Sequence, residues 1–415
     1  MNPKYFLKDK YLIFFEQALT SLLSFGAIFI LSKLTSISVF GDFVITYSYA
    51  SFVFIFISYF ISSPVLVFFS KKWKSNPLTY LCSLLILSFS GTIIISLICN
   101  LILNLQISQV SVWAFLGLNL GMVMNDLLKK TIFASRMVSF VSTVVSSLFL
   151  VLLFFGLTFY FSNQLTLNFI LTIYSISYLA SIVILILSIA KWGEILKQSK
   201  KMKNEISQNL TLILKEHYTY SKWIIGGGVL FWAYSQGIYI LGEILGIDKL
   251  GLGKVRSIHN LLGLFTILIA SMESYYIPKF ADKSDNLQNE VNDFYSKLKL
   301  PLIAVFLLAL PLVYGVYSLV YENKFGSGFW VILIIWLSQI VTVYLRPLAM
   351  ALKAKEITFP LFHTHLMAAI CLITIGSVMI VLFGNMGLAL AFFIAFLSSN
   401  LTLIYFYRKF IKIGK

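Results

Sequence analysis

The chain has 415 residues, of which 59% are hydrophobic and only 12% charged. A soluble chain carries about 25% charged residues, so a soluble globular domain is excluded and an all-α polytopic membrane protein is expected. Lys and Arg outnumber Asp and Glu by 32 to 16, a net charge of +16. In a soluble protein that balance would point to nucleic acid. In a membrane protein the cytoplasmic loops collect basic residues, and nucleic acid is not an expected partner.

Apolar runs of about 20 residues, separated by short polar loops, predict twelve spans, over 11–33, 39–70, 78–104, 108–126, 137–161, 166–190, 223–246, 251–278, 300–320, 328–346, 358–383 and 386–407. No cleavable signal is expected, because the first run follows Lys4, Lys8 and Lys10 and is too long for a signal core. Alternate loops hold 27 of the 32 Lys and Arg residues, which places both termini in the cytoplasm and supports an even number of spans. The opposite loops are short and leave no room for an external catalytic domain. Residues 191–222 form the longest hydrophilic stretch, and Ile206, Leu210 and Ile213 recur there at helical spacing. The stretch reads either as an interfacial amphipathic helix or as a solvated linker. It divides the chain into 1–190, 191–222 and 223–415, two six-helix lobes around a basic linker.

A shift of 212 residues brings Lys10-Tyr11 onto Lys222-Trp223 and Phe40-Gly41-Asp42 onto Leu252-Gly253-Lys254. Pro64 then falls two residues from Pro278. Both halves begin on the same side, so the expected symmetry is a parallel repeat about an axis along the membrane normal, enclosing a central cavity.

Polar residues inside apolar helices mark candidate sites, because an ionised group at the bilayer centre costs about 3 kcal/mol on insertion scales. In span one, Glu16, Thr20 and Ser24 recur every fourth residue. Tyr47 and Ser51 share a face of span two with Ser58 and Ser62. Trp232, Gln236, Tyr239 and Glu243 line span seven, where Gly226, Gly227 and Gly228 favour either a bend or close packing. Span eight carries Lys254, Arg256, His259 and Glu273, with Pro278 near its end. Arg256 lies further in than Lys254, for which snorkelling to the interface is the competing reading. Lys222, Arg136 and Arg346 fall at the cytoplasmic mouth, where Pro347 ends or kinks span ten. His363 and His365 read as interfacial. Cys82, Cys99 and Cys371 lie in apolar segments with no metal-ligand spacing. There is no phosphate-cradling Gly-rich loop and no catalytic constellation, so the expectation is neither enzyme nor metalloprotein.

Glu16-Gln17 followed by Leu34-Thr35 and Val39-Phe40-Gly41-Asp42-Phe43 resembles the opening of the polysaccharide repeat-unit flippases. These are the Wzx-type O-antigen transporters of the MOP exporter superfamily. Leu250-Gly251-Leu252-Gly253 leading to Arg256, and Tyr276-Ile277-Pro278-Lys279-Phe280, resemble that family's eighth span. The resemblance implies a V-shaped flippase of the bacterial inner membrane that moves undecaprenyl-pyrophosphate-linked oligosaccharide for O-antigen or another surface polysaccharide. Implied partners are that lipid-linked substrate, membrane lipids, a polysaccharide polymerase and a chain-length regulator. It implies no cofactor, with coupling to an H+ or Na+ gradient.

Arg256, Lys254, His259, Tyr239, Gln236, Trp232, Tyr47 and Ser51 are then the expected substrate contacts. Glu16, Asp42, Glu243 and Glu273 are the expected gating or coupling acids, with Asp42 facing Lys254 as a gate pair. Lys222 and Arg346 line the expected entrance, and Gly226–Gly228 provide a hinge. A cation-coupled drug exporter of the same superfamily is the alternative, and a membrane polysaccharide polymerase or ligase is a further one that the short outer loops disfavour.

Overall fold

A computed structural model describes residues 3–73, 76–106, 110–135, 139–190, 199–247, 249–282, 286–321 and 326–412. Among them every regular element is a helix. That follows from the composition, because a chain crossing hydrocarbon must satisfy its backbone internally and a helix does so within one segment. Clustering of contacts divides the chain into two units, Met1–Lys222 and Trp223–Lys415.

The first unit contains α1 (Pro3–Leu34), α2 (Ile37–Ile57), α3 (Ser63–Lys71), α4 (Pro77–Gln106), α5 (Val112–Ser135), α6 (Val141–Tyr160) and α7 (Leu167–Ala190). α2 and α3 are one span joined by a π-helical turn, Ser58–Ser62. Its core is built from Leu23, Ala27, Phe43, Ala50, Phe115, Leu118, Phe154 and Leu171. Leu101 is 70% exposed and Trp113 and Tyr160 more than 80%. These face outward, as apolar side chains in lipid do, with the two large aromatics at helix ends where an interfacial belt belongs. α5 packs closely on α7. Small residues permit it: a Cβ on Gly121 would stand 2.6 Å from Tyr178 Cβ, and one on Gly117 2.7 Å from Ser175 Oγ. The Gly117-Leu-Asn-Leu-Gly121 sequence is a small-xxx-small pattern, which lets two membrane helices approach.

The helix α8 (Ser199–Ile244) begins in the first unit and continues past its boundary. The second unit also contains α9 (Lys249–Leu262), α10 (Leu264–Asp282), α11 (Leu287–Val320), α12 (Phe329–Ala354), α13 (Phe359–Cys371) and α14 (Ser377–Tyr407). A π-helical turn, Leu372–Gly376, joins the last two. α14 folds back at Gly384 (φ 56°, ψ −128°), in the left-handed region that glycine enters without steric cost, so α13–α14 makes two passes. Eight stretches are long and apolar enough to cross a membrane, the last of them, Phe359–Ile411, covering both passes. With α5, the second half of α8 and α9–α10, twelve passes result.

Three local expectations are corrected. The eighth span is two helices, not one, because the chain turns at Gly263, whose N–H donates to the carbonyls of both His259 and Asn260. The fourth span does not stop near residue 126: α5 runs to Ser135 and carries Lys129 and Lys130 inside it. Pro347 does not end the tenth span, which continues to Ala354. Gly226–Gly228 lie within the uninterrupted α8. There Gly226 and Gly227 allow close packing, since a Cβ on Gly226 would meet the Phe362 ring at 3.0 Å and one on Gly227 the His365 ring at 3.0 Å.

Candidate functional site

In the first unit α1 brings Glu16 into the interior, where it is fully buried. Its Oε1 accepts from Lys129 Nζ at 2.7 Å, from Ser147 Oγ at 2.9 Å and from Thr20 Oγ1 at 2.9 Å. Gln17 Nε2 donates to Oε2 at 2.8 Å. Lys129, itself 5% exposed, also donates to Ser147 Oγ at 2.7 Å. A buried carboxylate is tolerated only when matched by charge and hydrogen bonds, and this one has both. Ser24 donates to the Thr20 carbonyl. The expected polar stripe of span one is therefore a structural support for one acid, whose partner, Lys129, was assigned by sequence to a loop.

One turn of α5 away, Asp126 Oδ2 accepts from Ser58 Oγ at 2.7 Å and from Lys130 Nζ at 2.9 Å. Lys130 also reaches Ser58 Oγ at 2.8 Å. Neither Asp126 nor Lys130 was singled out in the sequence as charged and membrane-embedded. The usable signal was Lys at i, i+4 from an acid.

Tyr47 is half-buried in an aromatic group with Phe43 (5.6 Å between centroids) and Tyr174 (6.1 Å), and Tyr174 packs on Phe154 at 4.2 Å. Ser51 donates to the Tyr47 carbonyl within its own helix. Asp42 is half-buried in α2.

Lys222, exposed, ends a segment of α8 held firmly by the first unit. Pro64 has no N–H to give the carbonyl of Phe60, four residues back. That carbonyl accepts from His217 Nδ1 at 3.1 Å and from Ser221 Oγ at 3.2 Å. Because a carbonyl only accepts, Nδ1 bears the proton, and Nε2 accepts from the Tyr80 hydroxyl at 2.7 Å. Burial with Lys72 nearby lowers the His217 pKa to about 4, the bond to Phe60 opposing the shift. Glu216 adds contacts to Lys72 Nζ (3.3 Å) and Trp73 Nε1 (3.2 Å). Ile213, placed by the helical spacing of the basic stretch, is fully buried.

In the second unit Glu273 Oε1 accepts from Arg346 Nε at 2.8 Å and from Lys353 Nζ at 2.8 Å, and Arg346 NH2 lies 2.7 Å away. Sequence assigned Arg346 to an open entrance and Glu273 to gating without connecting them; they are partners. Tyr239 and His259, both expected substrate contacts, meet each other, with Oη 2.7 Å from Nδ1. His365 is not interfacial: its Nδ1 lies 3.1 Å from Tyr234 Oη and its ring 5.7 Å from Phe231. His363 rests on Phe359, 4.1 Å between ring centroids. Lys254 and Trp232 are half-buried. The side chains of Arg256, Gln236 and Glu243 and all of Arg136 lie outside the described residues. Among the described residues no group of three His, Cys, Asp or Glu could hold a metal ion.

These features define a multi-pass helical membrane protein in which Glu16, Asp126 and Glu273 each sit in a small ion-paired cluster. Solved structures give the fold a name. The chain has the fold of the MATE transporters. It is similar to a mutant of the Vibrio cholerae MATE transporter VcmN (TM-score 0.75, 12% identity, covering 99% of this chain and 97% of that one). It is similar also to a MATE transporter in its straight conformation (TM-score 0.76, 12% identity, 98% and 95%). A third likeness is to the eukaryotic MATE transporter AtDTX14 (TM-score 0.64, 14% identity, 99% and 95%). No family model and no curated protein sequence matches the chain.

Proposed function

We propose that the chain is a transporter that flips an undecaprenyl-pyrophosphate-linked oligosaccharide across the bacterial inner membrane, with both termini in the cytoplasm. The observation that carries this reading is the charge balance of the embedded clusters. Glu16 and Asp126 are each matched by a lysine, and Glu273 is shared by Arg346 and Lys353. Within these three clusters no carboxylate is left over to meet the charge of a cationic drug. Here the surplus at the third cluster is positive, and guanidinium and ammonium suit a pyrophosphate. Tyr and Ser side chains on the membrane helices suit sugars. The polymerase, the chain-length regulator and coupling to H+ or Na+ belong to the same reading.

A second reading, a cation-coupled drug exporter, has the solved structures on its side. One similar structure is an outward-facing multidrug resistance MATE transporter of the MOP superfamily, at TM-score 0.65 and 10% identity. Measured by fold likeness alone, that reading is the better supported. Complementation separates the two. Expression in a strain lacking its repeat-unit flippase should restore surface polysaccharide and leave susceptibility to organic cations unchanged. Drug resistance without polysaccharide would establish the second reading instead.

A further inference from the structure

We propose that Tyr239 and His259 of the second unit form a reversible proton-binding site, which on the transporter reading is where a proton enters the cycle. Tyr239 is 8% exposed and His259 half-buried, its ring 4.6 Å from that of Phe392. Titratable groups within membrane helices are costly to keep and mark function by default, and imidazole is the side chain whose ordinary pKa lies nearest neutrality.

The 2.7 Å contact between Tyr239 Oη and His259 Nδ1 suits both protonation states. With imidazole neutral, the hydroxyl donates to Nδ1. A proton arriving from water adds to the Nδ1 lone pair, and the new N–H then donates to Oη as the hydroxyl turns away. One N–H bond forms, no bond between heavy atoms changes, and the site gains a single positive charge. Phe392 offers that charge an aromatic ring within cation–π range.

Of the elements packed against α9, α12 carries Arg346 and Lys353, α10 carries Glu273 and Lys279, α11 carries Glu290, Asp293, Lys297 and Lys299, and α14 carries no charge. These acids are already matched, Glu273 by Arg346 and Lys353 of α12, and Glu290 and Asp293 by Lys279 and Lys297. Asp282 closes α10 and is exposed. On α9 itself Lys254 and Arg256 precede His259, and Glu243 follows Tyr239 on α8 by one turn. In the second imidazole–tyrosine pair His365 Nδ1 lies further from Tyr234 Oη, at 3.1 Å against 2.7 Å, so we assign the proton to His259.

The test is nitrogen NMR of the full chain labelled at histidine in lipid nanodiscs, titrated from about pH 8.5 to about pH 5, a window that brackets the ordinary imidazole pKa. One imidazole, identified by its loss in His259→Gln, should pass from the neutral to the protonated signal. Tyr239→Phe should lower its proton affinity about tenfold, the effect of one hydrogen bond to a charged group. Should His259→Gln fail to accumulate, Tyr239→Phe alone identifies the signal by displacing it. A His259 signal that never titrates in this window, or one indifferent to Tyr239→Phe, overturns the proposal. No substrate enters the measurement, so its failure leaves the flippase reading standing, and failed complementation leaves this site untouched.

Discussion

Lys129 Nζ of α5 stands 2.7 Å from Glu16 Oε1 of α1, both side chains almost wholly withdrawn from the surface. Breaking such a pair from one side leaves a buried charge alone, at about 3–5 kcal/mol. Removing both charges avoids that penalty. Lys129→Met should therefore lower the thermal unfolding midpoint of the purified protein markedly, and Glu16→Gln with Lys129→Met should recover most of the loss. A double variant no more stable than the single one would show that the loss does not come from the unpaired charge of Glu16.

The helices α5 and α7 meet through glycine. A Cβ on Gly121 would stand 2.6 Å from Tyr178 Cβ, closer than real side chains approach, and Gly117 has the same problem with Ser175. Overpacking of this kind costs about 1–3 kcal/mol. Gly121→Val should reduce detergent-solubilised yield and unfolding temperature. Gly156→Val, where nothing lies within 4 Å of the added Cβ, should change neither. Equal losses from the two substitutions would dismiss the packing account.

Much of this was legible beforehand and some was not, for physical reasons. Span positions are set by local hydropathy, so nearly all are visible in sequence. The fourth was cut short because Lys129 and Lys130 look like loop residues until Glu16 and Asp126, far away in the chain or one turn back, neutralise them. Arg346 likewise reads as an entrance residue until Glu273 is seen beside it. Hydropathy scores each residue alone, whereas an embedded charge depends on a partner that only the fold supplies. Pro64 was noticed as one half of a repeat. Its local consequence, a Phe60 carbonyl that Pro64 cannot bond and that His217 and Ser221 take up, needed the position of α8. The Gly117-xxx-Gly121 pattern was present in the sequence and went unused.

The buried His217 makes the first unit sensitive to acid. In the unfolded chain the imidazole binds a proton below about pH 6.5, whereas in the folded protein, depressed to about 4, it stays neutral until well below that. The unfolded state thus binds more protons between these values, and stability present above pH 6.5 is lost as pH falls towards 4. The full difference is about 3 kcal/mol. Unfolding midpoints of the wild type should fall across this window. His217→Gln, which cannot take a proton, should be less stable at pH 7.5 but show a flatter profile. Parallel profiles for the two proteins would assign the acid sensitivity elsewhere.

Glu273 holds two cations with one carboxylate oxygen, Arg346 and Lys353 both bonding Oε1. Glu273→Gln would leave them mostly covered and mutually repelling, since Lys353 is 10% exposed at its side chain and Arg346 25%. The expected outcome is lower stability at low ionic strength, partly restored by added salt or by inorganic pyrophosphate, which replaces the missing negative charge. Lys353→Met, which leaves Glu273 matched by Arg346 alone, should be milder in its effect on folding. On the flippase reading it should still impair complementation, because the surplus cation is what an anionic head group would meet. A Lys353→Met protein that accumulates normally and restores surface polysaccharide fully would remove this cluster from the transport path and confine it to structure.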